Sequence, residues 1–297
     1  MLIEEKQPDK WLIGLFLCAE PQIGAVTIKQ LLSWLKEKEF TLGQFWRQKE
    51  KMGQAVGLTE AKIAALKKIG ERFGDDDEAP ARLKEYLERR KISLCINNEA
   101  DFPPLLKLIT DCPAGIFYQG DLACLQKLCL SVVGTRQMTG YGRRVIKELL
   151  APPLDEITIV SGMMTGVDEA AHRQALAIGS KTAAILGYGL ELTWPRYLAS
   201  LRTEIINQGG VVMSEYAPWS EPQPFRFPVR NRLVAGLSLA TLIIEVATKS
   251  GSLITANLAI EDGTELLLVP GSIFSPLSNG TLGLLQVGAT PVTKTAE

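Results

Sequence analysis

Six short apolar runs, SVVG, ITIVS, TAAIL, GVVMS, ATLIIEV and ELLLVP, recur between Ser131 and Pro270, each separated from the next by a segment of helical pattern. That recurrence constrains the fold more than any other feature. Runs rich in Val, Ile and Leu without polar alternation are strands buried on both faces, and strands alternating with helices build a parallel sheet covered on both sides. The fold class is α/β. The spacing predicts helices near 141–151, 166–178, 195–208, 229–237 and 252–261, with Gly179 and Gly263 as left-handed C-caps of two of them.

Upstream the pattern is different. From Trp11 to Phe73 it is helical, and FLCAEPQIGAVTIKQLLSWL and GQAVGLTEAKIAALKKI each place a glycine-containing turn before an apolar-periodic helix, as a small helix-hairpin-helix or SAM-like domain does. Asp75-Asp76-Asp77-Glu78 and Pro80 then read as a solvated linker, and ISLCI and AGIFYQG as a small strand pair about the ADFPPLL turn. The division expected is an N-terminal helical domain over 1–79, a connecting segment over 80–127 and a sheet domain over 128–297. With 297 residues and 46% hydrophobic content the chain fills a core. Glu4, Glu5 and Asp9 precede an apolar run too short to span a bilayer, so a cytoplasmic protein without a membrane partner is expected. Its five cysteines are scattered without a C-x-x-C pair, which argues against disulfides and a metal site. Net charge is −1, so any polyanion site is a local concentration of charge. Residues 131–232 allow one, carrying eleven Lys and Arg against nine Asp and Glu, where 233–297 carry two against five.

The residues that break the pattern fall at the carboxyl ends of the expected strands: Gly134-Thr135-Arg136, Ser161-Gly162, Gly187-Tyr188-Gly189, Ser214-Glu215 and Pro270-Gly271. In an open parallel sheet those ends share the ligand crevice. Between Ser214 and Ser238, Pro218, Pro222, Pro224 and Pro228 forbid a regular element, and a helix from Val229 puts Arg230 and Arg232 in a first turn, where cations oppose the dipole. Arg143 and Arg144 stand the same way in an earlier helix. Uncompensated cations at helix starts point to an anionic ligand, with Tyr188, Trp194, Phe225 and Phe227 as aromatic walls. Gly187 and Gly189 lack the third glycine and the helix of a dinucleotide fingerprint, and Gly134 to Gly140 lacks the Gly-Lys-Ser/Thr of a nucleotide triphosphate loop. No cofactor is expected. His172 reads as a helix-lining histidine and Asp168 as a helix cap; Glu215 and Glu245 serve either as an acid and base or, the preferred reading, to orient Arg230 and Arg232. No catalytic residue is assigned. A cationic groove with aromatic platforms suits single-stranded nucleic acid. Arg136, Lys181, Arg196, Arg226, Arg230 and Arg232 beside Trp194, Phe225 and Phe227 fit that description.

VVGTRQMTGYG, VSGMMTGVDEAAHRQAL, GSKTAAILGYGLELTWP, GGVVMSEYAPWSEPQPFRFPVRNRLVAGLS and SGSLITANLAIEDGTELLLVPG, in series and preceded by ADFPPLLKLITDCPAGIFYQGDL, resemble the DNA-processing protein A family, DprA or Smf. The resemblance implies an extended Rossmann-like sheet domain, binding of single-stranded DNA, a homodimer, no enzyme activity, and loading of RecA recombinase onto incoming strands in natural transformation. It places a glycine-arginine loop on Gly134, Thr135 and Arg136, a second glycine loop on Ser161, Gly162, Gly166 and Asp168, and a basic pocket on Lys181, Arg230, Asn231 and Arg232. Three departures, Leu198 after Trp194-Pro195, Leu282 after Gly280-Thr281, and Met163-Met164, remove polar groups from the expected rim of the trough. On this reading Arg230→Ala, Arg232→Ala or Arg136→Ala lowers strand affinity while the fold survives. The alternative is a nucleotide-binding or phosphoribohydrolase-like protein of the lysine-decarboxylase-like group. Against it, Leu284 stands where that group's signature has glutamate.

Overall fold

The computed structural model describes residues 10–19, 21–152, 154–248 and 250–295. Six helices come first: α1 (Lys10–Leu17), α2 (Ala25–Glu37), α3 (Leu42–Arg47), α4 (Lys49–Ala55), α5 (Glu60–Phe73) and α6 (Ala79–Glu88). Both predicted helical pairs are present, as α1 with α2 and α4 with α5. The residues Glu4, Glu5 and Asp9, used above to argue against a leader, lie outside the described residues. Among those described, no helix is long and apolar enough to cross a membrane.

All six predicted parallel strands form: β3 (Cys129–Val133), β4 (Thr158–Ser161), β5 (Thr182–Ile185), β6 (Val211–Ser214), β7 (Ala240–Ile243) and β8 (Glu265–Leu268). The predicted pair β1 (Ser93–Ile96) and β2 (Gly115–Gly120) joins them, because β2 runs antiparallel to β6 and extends the same sheet. With a two-residue β9 (Thr290–Pro291) at the far edge, the order is β1-β2-β6-β5-β4-β3-β7-β8-β9. Chain order steps outward from β3 through β4, β5 and β6, then restarts on the other side with β7 and β8. The reversal lies between β3 and β7, where Val133 pairs with Ile243 and both strands end level.

Successive strand residues point to opposite faces, and each face has its own helices. Val133, Val160, Ile185, Met213 and Ile243 pack on one side under α10 (Arg226–Gly236) and α11 (Gly251–Glu261). Val132, Ile159 and Leu242 pack on the other under α7 (Gly140–Leu149) and α8 (Val167–Ala177). On that second side the core continues through Ala184, Val212 and α9 (Ala199–Asn207) into the N-terminal helices, so Leu66 and Phe73 share one apolar cluster with Leu201 and Ile205. Each such side chain removed from water contributes about 1.5–3 kcal/mol. Gly179 and Gly263 close α8 and α11 with φ of +80° and +71°. The chain then adds α12 (Asn279–Gln286) before β9. Cys18, Cys95, Cys124 and Cys129 are buried free thiols, and burial pushes Cys124 and Cys129 up to about 12.

Candidate nucleic-acid interface

At the β3/β7 reversal a crevice of about 500 Å³ opens between the loops that follow the strands. The Gly134–Gln137 loop forms one wall, Pro224, Phe227, Arg230 and Asn231 of the α10 segment another, and Ser250, Gly251 and Ser252 at the start of α11 a third. The walls are tied together locally. Thr135 N–H donates to Glu245 O (2.7 Å), Ser252 Oγ donates to Gly134 O (2.7 Å), and Val167 N–H donates to Thr135 O (3.1 Å). Gly166 allows the last of these, since at φ +85° a Cβ there would lie 2.3 Å from Thr135 O.

Arg136 is exposed on this rim with no hydrogen bond or ion pair among the described residues, its guanidinium 5.7 Å from the centre of the Phe227 ring. The Trp194 ring, 40% exposed, packs tilted against Phe227 with their centres 5.7 Å apart. Behind them Arg230 is buried, with Nη1 donating to Gly162 O (2.7 Å) and to Ile185 O. Gly162 makes room for this arrangement: a Cβ there would stand 2.6 Å from both Arg230 Nη2 and Asp168 Oδ2. Burial lowers the Arg230 pKa against the pull of Asp168, and burial raises that of Asp168 against the pull of Arg230. No carboxylate forms an ion pair with Arg230 among the described residues; Asp168 is the charged group that favours its cation, and Arg230 lines the crevice from its buried side.

Several expectations need correction. The helix that carries the Arg-Asn-Arg triplet starts at Arg226, not Val229, so Arg230 and Arg232 lie beyond its first turn. Successive helical residues turn by about 100°, which sends the two arginines to different faces. Arg232 is not uncompensated. It donates to Glu215 Oε2 (2.6 Å) and Asp111 Oδ2 (2.9 Å), and although burial opposes its charge these carboxylates raise its pKa. Arg226 is also buried, its Nη1 on Glu221 O (2.8 Å). Phe225 is exposed, but with Val229 and Arg232 it lines a separate hollow of about 260 Å³ against the α1–α2 turn.

Lys181 precedes β5, at the amino end of the strand, and its Nζ donates to Gln208 O (2.6 Å); it is not brought into the crevice. Ser161 lies buried beneath the crevice, donating to Val132 O (2.7 Å). Arg196 is exposed just past Trp194 and Pro195. Glu245 orients neither arginine: it caps the start of α7 by accepting from Thr139 N–H (2.9 Å) and Oγ1 (2.6 Å). Tyr188 is core, its hydroxyl bonded to the Trp194 backbone. Leu198 and Met163 are buried in the core and not on a rim, whereas Met164, also buried, lines the crevice. Sequence reasoning passed over the Ser250–Ser252 wall, although Ser-Gly-Ser before an apolar helix is an N-cap signal. Nothing local marks Asp111, which lies 121 positions from Arg232.

A family model described as DNA recombination-mediator protein A matches residues 93–297. The chain belongs to the DNA recombination-mediator protein A family. It is similar to Protein Smf of Escherichia coli, 38% identical over 71% of this chain and 57% of that one, and so spans little more than half of that relative's length. It is also similar to DNA processing protein DprA of Bacillus subtilis, 34% identical over 80% of each chain. Among solved structures, DprA of Streptococcus pneumoniae superposes with a TM-score of 0.78 at 30% identity, covering 97% of this chain and 96% of that one. DNA processing protein A of Helicobacter pylori, whose structure addresses its single-stranded DNA binding mode, gives 0.62 at 29% identity over 69% of this chain and 93% of that one. The family's fold is thus the extended Rossmann-like sheet expected from the sequence. Among the described residues no group of three or more His, Cys, Asp and Glu is placed to hold a metal ion.

Proposed function

We propose that this chain binds single-stranded DNA in the crevice between β3 and β7 and acts as a recombination mediator. The observation that carries the reading is the free Arg136 guanidinium beside Phe227 and Trp194, over the buried Arg230. An unpaired cation takes a phosphate, the exposed Trp194 ring and the half-buried Phe227 ring take bases, and the start of α11 adds backbone N–H donors. The similarity to the Helicobacter pylori protein supports the same ligand. Family membership supports the wider role: a homodimer in the cytoplasm that protects incoming strands and loads RecA recombinase onto them during natural transformation, without a catalytic step of its own.

The deciding experiment is fluorescence anisotropy with a labelled oligothymidylate across a salt series, with duplex and mononucleotide as competitors. Tight, salt-sensitive strand binding that duplex and mononucleotide displace poorly is expected. Arg136→Ala should weaken it about tenfold or more, the loss of one charge-assisted phosphate contact. Equal competition by a mononucleotide, with little salt dependence, would overturn the reading in favour of a nucleotide site.

A further inference from the structure

The loop that follows β8 presents two large apolar residues to solvent, Ile273 at 72% and Phe274 at 90% exposure. The loop is ordered by its own hydrogen bonds: Phe274 N–H donates to Ser272 Oγ (3.2 Å), Ser275 N–H to Ser272 O (3.0 Å) and Ser278 N–H to Ser275 O (2.9 Å). An ordered turn that holds a phenylalanine in water has no reason in packing, and exposed apolar residues presented together mark a contact surface.

Two neighbours say what kind. Leu277 of the same loop lines the crevice and accepts from Val246 N–H (2.7 Å), so the loop is continuous with the proposed strand site. On the other flank Tyr141 of α7, 41% exposed, donates its hydroxyl to Pro270 O (2.6 Å) and pins α7 to the loop. Arg144 shares the face of α7 with Tyr141, three positions on. Arg143 and Arg144 are both exposed, and their side chains make no hydrogen bond or ion pair among the described residues. Arg143 closes the first turn of α7, where a cation opposes the helix dipole, and Arg144 follows it in the second; among the described residues no carboxylate pairs with either.

We propose that Tyr141, Arg144 and Phe274 form a second subsite for single-stranded DNA, Arg144 holding a phosphate and the Phe274 ring a base. The inference rests on the crevice being a strand site and extends it. β8 stands two strand spacings from β3, about 10 Å, a separation that an extended polynucleotide crosses within a few phosphates. A strand leaving Arg136 along the β7 and β8 loops meets Phe274 next.

Anisotropy with the labelled oligothymidylate tests this. Phe274→Ala should weaken binding about five- to hundredfold with the salt slope unchanged, since a stacked base is lost and no phosphate contact. Arg144→Ala should reduce the slope of log K against log salt by about 0.7. Phe274→Trp should bind normally, its added emission quenched by the strand. Wild-type affinity and slope in Phe274→Ala and Arg144→Ala, with Arg136→Ala weakened, would overturn the subsite and leave the crevice standing. If Arg136→Ala also binds as wild type, both readings fall. A change in sedimentation of DNA-free Phe274→Ala with unaltered strand affinity would assign the loop to a contact between copies, and that too overturns the proposal.

Discussion

Thr182 determines the tautomer of His172. Its one hydroxyl proton goes to Ile159 O (2.7 Å), so the 2.7 Å contact with His172 is an Nδ1–H donation, and Nε2 is left a bare buried acceptor without a partner. Burial, reinforced by the charge of Arg230, lowers the His172 pKa to about 3. An unfolded histidine titrates near 6.5. Between those values the unfolded chain binds a proton that the folded chain refuses, so stability falls as pH drops through the window, by up to about 1.4 kcal/mol per pH unit. Urea melts at several pH values should show a steeper loss for wild type than for His172→Gln; equal slopes would refute the assignment. Arg230→Ala is expected to act on stability first. It strips the donor from two buried carbonyls, Gly162 O and Ile185 O, at about 2–4 kcal/mol. A denaturation midpoint unmoved by that change would sink the structural role. Sequence placed this arginine in the right neighbourhood but not at the right depth, because depth depends on what lies above it.

Among the elements, the turn from β4 to α8 is the most exacting. Gly166, at φ +85° and ψ −124°, occupies backbone space that an L side chain enters only under strain, and Thr135 O blocks its Cβ position. Gly166→Ala should cost roughly 1–3 kcal/mol in a thermal melt and should weaken strand binding by displacing the Arg136 loop. A melt and an anisotropy titration both matching wild type would contradict this. The start of α10 is instructive for the opposite reason. By sequence Pro228 bars a helix until Val229, yet it is the third helical residue, where the missing N–H has no partner to lose. Reading the proline as an interior breaker displaced the helix start by a turn, and with it the faces of Arg230 and Arg232.

Across the whole molecule, the N-terminal helices are clasped to the sheet by a cation-aromatic cluster. Arg72 of α5 lies 3.7 Å over the Trp219 ring in the β6–α10 loop, and Tyr86 of α6 meets that ring edge-on at 5.6 Å. Tyr86 also donates its hydroxyl to Glu191 in the loop after β5, and Arg90 pairs with Glu191 at 2.8 Å. The two loops held in this way carry Trp194 and Phe225. A double-mutant cycle on Arg72→Ala and Trp219→Ala should give a coupling of about 0.5–2 kcal/mol in urea denaturation. A coupling near zero would show that the stack contributes nothing to the joint.

Periodicity within the chain was enough to establish the strands β3 to β8, the helices between them and the glycine loops at their carboxyl ends, since apolar spacing and turn chemistry are local properties. That a crevice lies at the carboxyl ends of the strands followed as well; its place between β3 and β7 came only with the order of the sheet. Whether each charge is free was decided in three dimensions. Arg232 meets Asp111 across more than a hundred residues, Lys181 falls at the opposite end of its strand, and Arg136 alone of the three reaches the crevice unpaired. Charge is written in the residue, but compensation is a property of distance, and folding sets distances between residues far apart in the chain.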